Sequence, residues 1–313
     1  MLPPHWEAFF KSNGIKLHIV ILYENEARTG KIWPASEIIM KGVERGDHKG
    51  STKAIDSTSG GFGRGAATVI RMARARDPSF PVTQFVAVVP RSLPKGKREM
   101  LIENGIELID AEDAIDAMRV AEQVAAEKGY WYTRQYWNPD NSKGYWAIAH
   151  HLANEIPELG ICAWGVGSGG GCSGIMPVLT SSFRDRPFKL WRVAVVAEDG
   201  HKIGGVRDQA SLEPGTLKWR SPNIDDVRFI AENVSYRNSA ALWRQKGLRV
   251  GPSTGFAVEG ACLAARSLGI MRQLDDFRGG DGYVHIAVPA VDERTPYRDE
   301  FEEKGFYGIP KTE

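Results

Sequence analysis

The chain of 313 residues is 42% apolar and 25% charged, with a formal net charge of +1 at pH 7. That length allows one large α/β unit or two modest domains, and the balanced charge removes any global electrostatic attraction to nucleic acid or an anionic membrane. No apolar run approaches a membrane span, the start MLPPHWEAFFKSNG lacks a signal-peptide layout, and the three scattered cysteines, Cys162, Cys172 and Cys262, suit small thiols in a reducing cytoplasm better than a disulfide framework or zinc cluster.

Strand-like and helix-like segments then alternate. Ile15 to Tyr23 reads as a strand, and the apolar spacing of Pro34 to Arg45 predicts a helix. KAIDST (53–58) is a strand, Phe62 to Ala75 a helix, QFVAVVP (84–90) a strand and Lys95 to Asn104 a helix. IELID (106–110), the long helix of Ala111 to Lys128 and the strand YWYTRQY (130–136) follow. A helix over Ser142 to Ile156, the strand ICAWGVG (161–167) and a helix from Ser173 come next. KLWRVAVVAED (189–199) is a strand, Thr254 to Leu268 a helix, and YVHIAVPAV (283–291) the closing strand. Such alternation predicts an α/β fold with parallel sheets flanked by helices, and function in loops after the carboxyl ends of the strands. Gly200 to Asp226 is weakly periodic and reads as a surface excursion. The charged tail after Pro296 reads as peripheral.

Three glycine-bearing loops each follow an expected strand and precede an expected helix. Loop one is Ser57-Thr58-Ser59-Gly60-Gly61-Phe62-Gly63, loop two is Gly165-Val166-Gly167-Ser168-Gly169-Gly170-Gly171, and loop three is Gly251-Pro252-Ser253-Thr254-Gly255 after the apolar LRV (248–250). Free backbone N–H groups at a helix start, closely approachable past glycine, bind anions. Loop two is the better phosphate cradle and loop one suits a substrate carboxylate. Tight turn geometry alone explains any one such loop, but explains three in one chain less well. Loop two also matches Gly-x-Gly-x-x-Gly over Gly165, Gly167 and Gly170, and the next strand ends in Glu198-Asp199. A nicotinamide- or flavin-binding Rossmann oxidoreductase is therefore a rival reading.

Further spacings favour another family. Tyr23-Glu24-Asn25-Glu26-Ala27-Arg28-Thr29-Gly30-Lys31 runs from a strand into a helix, and 27 residues separate Lys31 from Thr58. Gln135-Tyr136-Trp137-Asn138-Pro139 lies between loops one and two. In this order, from about Ile15 to Pro289, the chain resembles the fold-type II pyridoxal phosphate enzymes, and within them cysteine synthase and cystathionine β-synthase. The resemblance implies two domains, each with a mainly parallel twisted sheet flanked by helices and the cofactor in the cleft between them. Residues 1–33 and 129–313 would form the large cofactor-binding domain, and 34–128 the small mobile substrate-binding domain. It implies that Lys31 is catalytic and carries the cofactor as a Schiff base. Gly61, Gly167, Ser168, Gly169, Gly170, Gly171 and Ser253 would complete the cofactor site, with Ser253 at the ring nitrogen. Thr58, Ser59, Gly60 and Gln135 would bind the substrate.

The implied reaction is β-elimination or β-replacement on a serine-derived amino acid through an aminoacrylate intermediate. Its partners would be that amino acid and a small nucleophile, and the enzyme a cytoplasmic homodimer. Departures from the family pattern stand at Ile32-Trp33 after the lysine, at Gly61 and Phe62 in place of asparagine and threonine, and at Gly171 in place of threonine. They leave a catalytically weakened cofactor-binding relative as a further alternative. No metal site is expected, since the adjacent His150 and His151 face different directions on a helix. Asp275-Asp276 and the acidic run from Asp299 to Glu303 read as solvated faces, and Cys172 as a packing residue at a helix start.

Overall fold

A computed structural model describes residues 4–212 and 222–306. The chain opens with a helix, α1 (Pro4–Asn13), and a strand, β1 (Ile15–Ile21), then crosses to α2 (Ile32–Arg45). A second set of elements follows: β2 (Lys53–Ser57), α3 (Gly61–Arg76), β3 (Gln84–Pro90), α4 (Lys95–Glu103), β4 (Glu107–Ala111), α5 (Ala114–Lys128) and the short β5 (Trp131–Tyr132). The chain returns through α6 (Pro139–Lys143) and α7 (Trp146–Glu155) to β6 (Leu159–Gly165), α8 (Gly170–Ser182) and β7 (Trp191–Ala197). Then come β8 (Asp226–Ile230), α9 (Glu232–Lys246), α10 (Pro252–Ile270), β9 (Val284–Ala290) and α11 (Arg298–Glu303).

The strands form two sheets, one of five strands in the order β1-β9-β6-β7-β8 and one of four in the order β4-β3-β2-β5. Every ladder in both is parallel. Parallel neighbours need crossover connections, and the helices that make them cover both faces, so the strands read as continuous apolar runs. Accordingly all seven residues of β9 are buried, as are the middle five of β3. Apolar cores lie on both faces of each sheet. The four-stranded sheet takes in β5, beyond the expected domain boundary at residue 128.

The expected elements recur with instructive shifts. Asp113 accepts from Ile115 N and Asp116 N at 2.8 Å each, so α5 starts after this cap and not at Ala111. The helix expected over Ser142 to Ile156 is two, α6 and α7, divided at Gly144, where an added Cβ would fall 2.5 Å from Pro34 Cα. The chain turns there because α2 packs against that spot. No strand forms over residues 248–250; Val250 makes a single bridge to Glu293. Helix α9 escapes the sequence pattern because its buried side carries Ser235, Asn238 and Ser239 beside Tyr236 and Leu242.

The tail is not peripheral as far as it is described. Tyr297 and Phe301 are fully buried, and the Phe301 ring meets Tyr236 edge-on at 4.9 Å. The expected excursion over 200–226 is also corrected in part: Ile203, Val206 and Arg207 are buried. Residues 213–221 of that stretch and the tail from 307 lie outside the described residues. All three cysteines are free and buried. Among the described residues no helix is long and apolar enough to cross a membrane.

Candidate active site

Lys31 follows β1 and stands at the N-cap of α2. Its approach is tied down by Asn25, whose Nδ2 donates to Leu22 O and Thr29 O at 2.7 and 3.0 Å. Gly30 N donates to Val291 O at 2.6 Å, and Thr29 Oγ1 donates to Asp292 Oδ1 at 2.6 Å, so the root of Lys31 is stitched to the chain beyond β9. The amine reaches inward, donating to Tyr145 Oη at 3.1 Å. Burial opposes the ammonium, but Tyr145 and then Asp292 outweigh it and hold the amine above the ordinary lysine value. Tyr145 is itself fixed edge-on against Trp164, with ring centroids 5.9 Å apart.

Loop two leaves the carboxyl end of β6 and feeds α8. Gly169, the N-cap, has φ +85°, a left-handed backbone open to glycine at little cost. Gly170 and Gly171 are packed so closely on Asn141 and Trp164 that a Cβ on either would clash. Ser168 Oγ accepts from Asn141 Nδ2 at 3.1 Å, and the same Nδ2 donates to Gln135 O at 2.6 Å, which joins loop two to the Gln135 segment. A helix start presenting backbone N–H groups here suits an anion.

Loop one leaves β2 and feeds α3. Thr58 Oγ1 accepts from Gly60 N and Gly63 N at 3.1 and 3.3 Å, shaping the turn. Lys97, 2% exposed, donates to Ser59 O at 3.0 Å and lies 4.3 Å from the centre of the Tyr297 ring. Burial lowers its pKa, against the pull of Asp292 and Glu300. Gln135 is placed by Asp56: Oδ2 accepts from Gln135 N at 2.8 Å and from Thr133 Oγ1 at 2.5 Å, while Gln135 Nε2 donates to Ser57 O at 2.5 Å. Burial pushes the Asp56 carboxyl up to about 7 despite those donors.

Loop three enters α10 directly. The N-cap is Gly251, and Ser253 Oγ is buried with no hydrogen-bond partner among the described residues. The capping falls to Ser239 of α9, whose Oγ accepts from Gly255 N at 3.0 Å and donates to Gly251 O at 2.9 Å.

These segments converge on one cavity between the sheets. Of the residues singled out from sequence, Lys31, Thr58, Ser59, Gly61, Gln135, Gly167, Ser168 and Ser253 line it. Gly60, Gly169, Gly170 and Gly171 shape the turns behind them. Sequence reasoning missed Tyr136, Trp164, Arg207 and Asp292, which also line the cavity. Tyr136 was in view within the Gln135 motif; Arg207 and Asp292 carry no motif, and only the return of their segments reveals them.

Such a cavity suits a small phosphorylated group held by an amine. The chain belongs to the pyridoxal-phosphate dependent enzyme family, whose model matches residues 5–275. The nicotinamide or flavin reading of loop two is thereby set aside. Cysteine synthase of Staphylococcus aureus strain Mu50 is 24% identical over 289 residues, covering 88% of this chain and 89% of that protein. Cysteine synthase B of Salmonella typhimurium is 24% identical over 267 residues, covering 82% of each. Among solved structures, a hydrogen sulfide-producing enzyme from Fusobacterium nucleatum matches with TM-score 0.75 and 19% identity over 91% of this chain and 93% of that one. An O-acetylserine dependent cystathionine β-synthase from Helicobacter pylori matches with TM-score 0.72 and 20% identity over 91% and 89%. At these identities the structural likeness establishes the fold.

The residues present fit the family's cofactor. Lys31 offers an amine, the unpartnered Ser253 Oγ a donor for a ring nitrogen, and Gly167 a backbone surface that a Cβ would obstruct against Gly205 O.

Proposed function

We propose that the chain catalyses β-replacement, with β-elimination as its partial reaction, on a serine-derived amino acid. The observation that carries this reading is the single cavity shared by Lys31, loop two and the unpartnered Ser253 hydroxyl. The cysteine synthases among its relatives support the substrate class.

Bound pyridoxal phosphate supplies an aldehyde that condenses with an amine and a ring that draws electrons from the substrate's α-carbon. Lys31 would hold it through Nζ, Gly167 to Gly171 through backbone N–H groups at the start of α8, and Ser253 through its hydroxyl, with Gly61 against its edge. The Ser253 hydroxyl would donate to the ring nitrogen without protonating it, which suits prompt loss of a β-substituent. Lys31 Nζ would be the base that takes the substrate's α-proton. Thr58, Ser59 and Gly60 would meet the substrate carboxylate, with the second N–H of Gln135 Nε2 beside them. The Trp164 and Tyr145 rings limit water around Lys31.

We also read the four-stranded half as a mobile lobe that closes on loop one's substrate. A cytoplasmic homodimer completes the proposal: the buried thiols support a reducing compartment, and Trp33 and Trp146, 44% and 48% exposed, support a surface for a second copy. The test is the visible absorption of the purified protein with pyridoxal phosphate added, then borohydride, then turnover of O-acetyl-L-serine with a thiol. A protein without a borohydride-sensitive band would remove the cofactor reading; a band without turnover would leave a binding relative.

A further inference from the structure

One cation in the cavity has no part in the roles above. Beyond β7 the chain turns back, and Arg207 is fixed where it does so: its N donates to Val166 O at 2.8 Å and its O accepts from Ala197 N at 3.1 Å. The side chain is 8% exposed. Nη2 donates to Tyr136 Oη at 2.7 Å, and the guanidinium lies 4.8 Å from the centre of that ring. Nη1 is buried and has no hydrogen-bond partner among the described residues. The carboxylates lining the two cavities do not meet this need: Asp292 accepts from Thr29 Oγ1 at 2.6 Å and Tyr297 Oη at 2.9 Å, Asp208 accepts from Ser211 N at 2.8 Å, and Asp113 caps α5. A guanidinium stays charged at any working pH, and a buried charge left without a counter-charge is strongly unfavourable.

Position indicates what would satisfy it. Arg207 and Tyr136 line both the cavity of Lys31 and a second cavity of about 250 Å³, whose walls carry Leu93, Ala117 and Ile203 together with the charged Lys202, Asp113 and Asp208. Lys31 lines only the first. A molecule whose reacting carbon sits at Lys31 extends past Arg207 to reach the outer space. A planar fork of N–H donors matches carboxylate and phosphate oxygens in pairs.

We infer that Arg207 determines specificity by binding an oxyanion carried beyond the reacting carbon, either on the departing group of the amino acid or on the incoming nucleophile. The inference rests on the β-replacement reading. The reaction balances without oxidant or reductant: with a phosphate ester, the Cβ–O bond breaks and its electron pair leaves on phosphate. The Cβ–S bond forms as a thiol gives up its proton, which leaves with the phosphate as hydrogen phosphate, and the α-proton taken by Lys31 is returned to the α-carbon.

The experiment uses cofactor-loaded wild type, Arg207→Gln and Arg207→Lys. Titration of the bound cofactor's absorption with O-phospho-L-serine and O-acetyl-L-serine probes the departing group. Replacement rates with mercaptoacetate and 2-mercaptoethanol, which differ at the carboxylate, probe the nucleophile. In at least one pair, wild type should favour the anionic member, and Arg207→Gln should weaken that member about 10- to 100-fold more than its neutral counterpart. Arg207→Lys should retain part of the preference, and decides the matter if the glutamine variant does not fold. Wild type that treats both pairs alike, equal losses for charged and neutral members, or loss of cofactor from Arg207→Gln would each overturn the inference. A wild type that takes up no pyridoxal phosphate would overturn the β-replacement reading and this inference with it.

Discussion

Lys31 Nζ donates to Tyr145 Oη at 3.1 Å, joining the start of α2 to the residue that precedes α7. Only the neutral amine condenses with an aldehyde, and Tyr145, with Asp292, holds Lys31 above the ordinary lysine value. Cofactor uptake should therefore accelerate as pH rises. Tyr145→Phe removes the acceptor and leaves burial to favour the neutral amine, so the profile should move to lower pH. Stopped-flow absorption after mixing cofactor-free protein with pyridoxal phosphate measures this; an unmoved profile would deny Tyr145 the role.

Lys31→Ala should abolish covalent retention of the cofactor and lower activity by about 10²–10⁴-fold or more. Borohydride reduction followed by peptide mapping locates the attachment. A label on Lys41 or Lys53 would place the reactive amine elsewhere.

Ser253→Ala should keep the cofactor, because Lys31 and loop two still hold it, and slow the chemical step. Ser253→Asp should protonate the ring and produce a longer-lived, longer-wavelength transient on adding substrate. Since Ser239 does the capping of α10, Ser253→Ala should also spare the loss of about 1 kcal/mol that removing a cap brings. Stopped-flow spectra and melting temperatures of both variants check the pair of statements.

Asp56 gives a pH dependence of stability. Its folded pKa is raised from 3.8 to about 7 by burial, so the folded protein binds the proton more tightly than the unfolded chain. The protonated form's contribution is complete below the unfolded value and is lost as pH climbs through that window. Wild type should thus lose stability, relative to Asp56→Asn, between pH 3.8 and about 7. At neutral pH the variant should hold Gln135 less firmly and raise KM for the amino acid, since an amide has one acceptor oxygen where the carboxylate uses two, for Ser57 N on one side and Gln135 N with Thr133 Oγ1 on the other. Urea unfolding across pH and steady-state kinetics read the two effects.

Much of the molecule is legible in its sequence, for physical reasons. Buried parallel strands such as QFVAVVP must be apolar on both faces, and β3 matches its expected bounds, Gln84–Pro90. Most of the residues gathered at the cavity from sequence lie on loops that leave strand ends; Ser253, whose loop follows no strand, is the exception. What stays hidden depends on tertiary contact. Gly144, where one helix gives way to the next, lies against Pro34, and α9 buries Ser239 and Asn238, whose Oγ and Nδ2 bond to the start of α10. Arg207 looks like any loop arginine until the chain around Ile203 and Val206 folds inward.

The three buried cysteines give the molecule a stopwatch. Burial pushes every thiol up, Cys172 to about 12, and sets Cys172 Sγ 3.7 Å from Trp164 O beside loop two. Reagents consume the thiolate, so labelling at neutral pH proceeds only during excursions that admit solvent. Cys172 and Cys162 sit in the core of β6 and α8, and Cys262 in that of α10. The order in which the three are modified times the opening of the β6–α8 side of the sheet against the opening of α10 on the other, with no added probe.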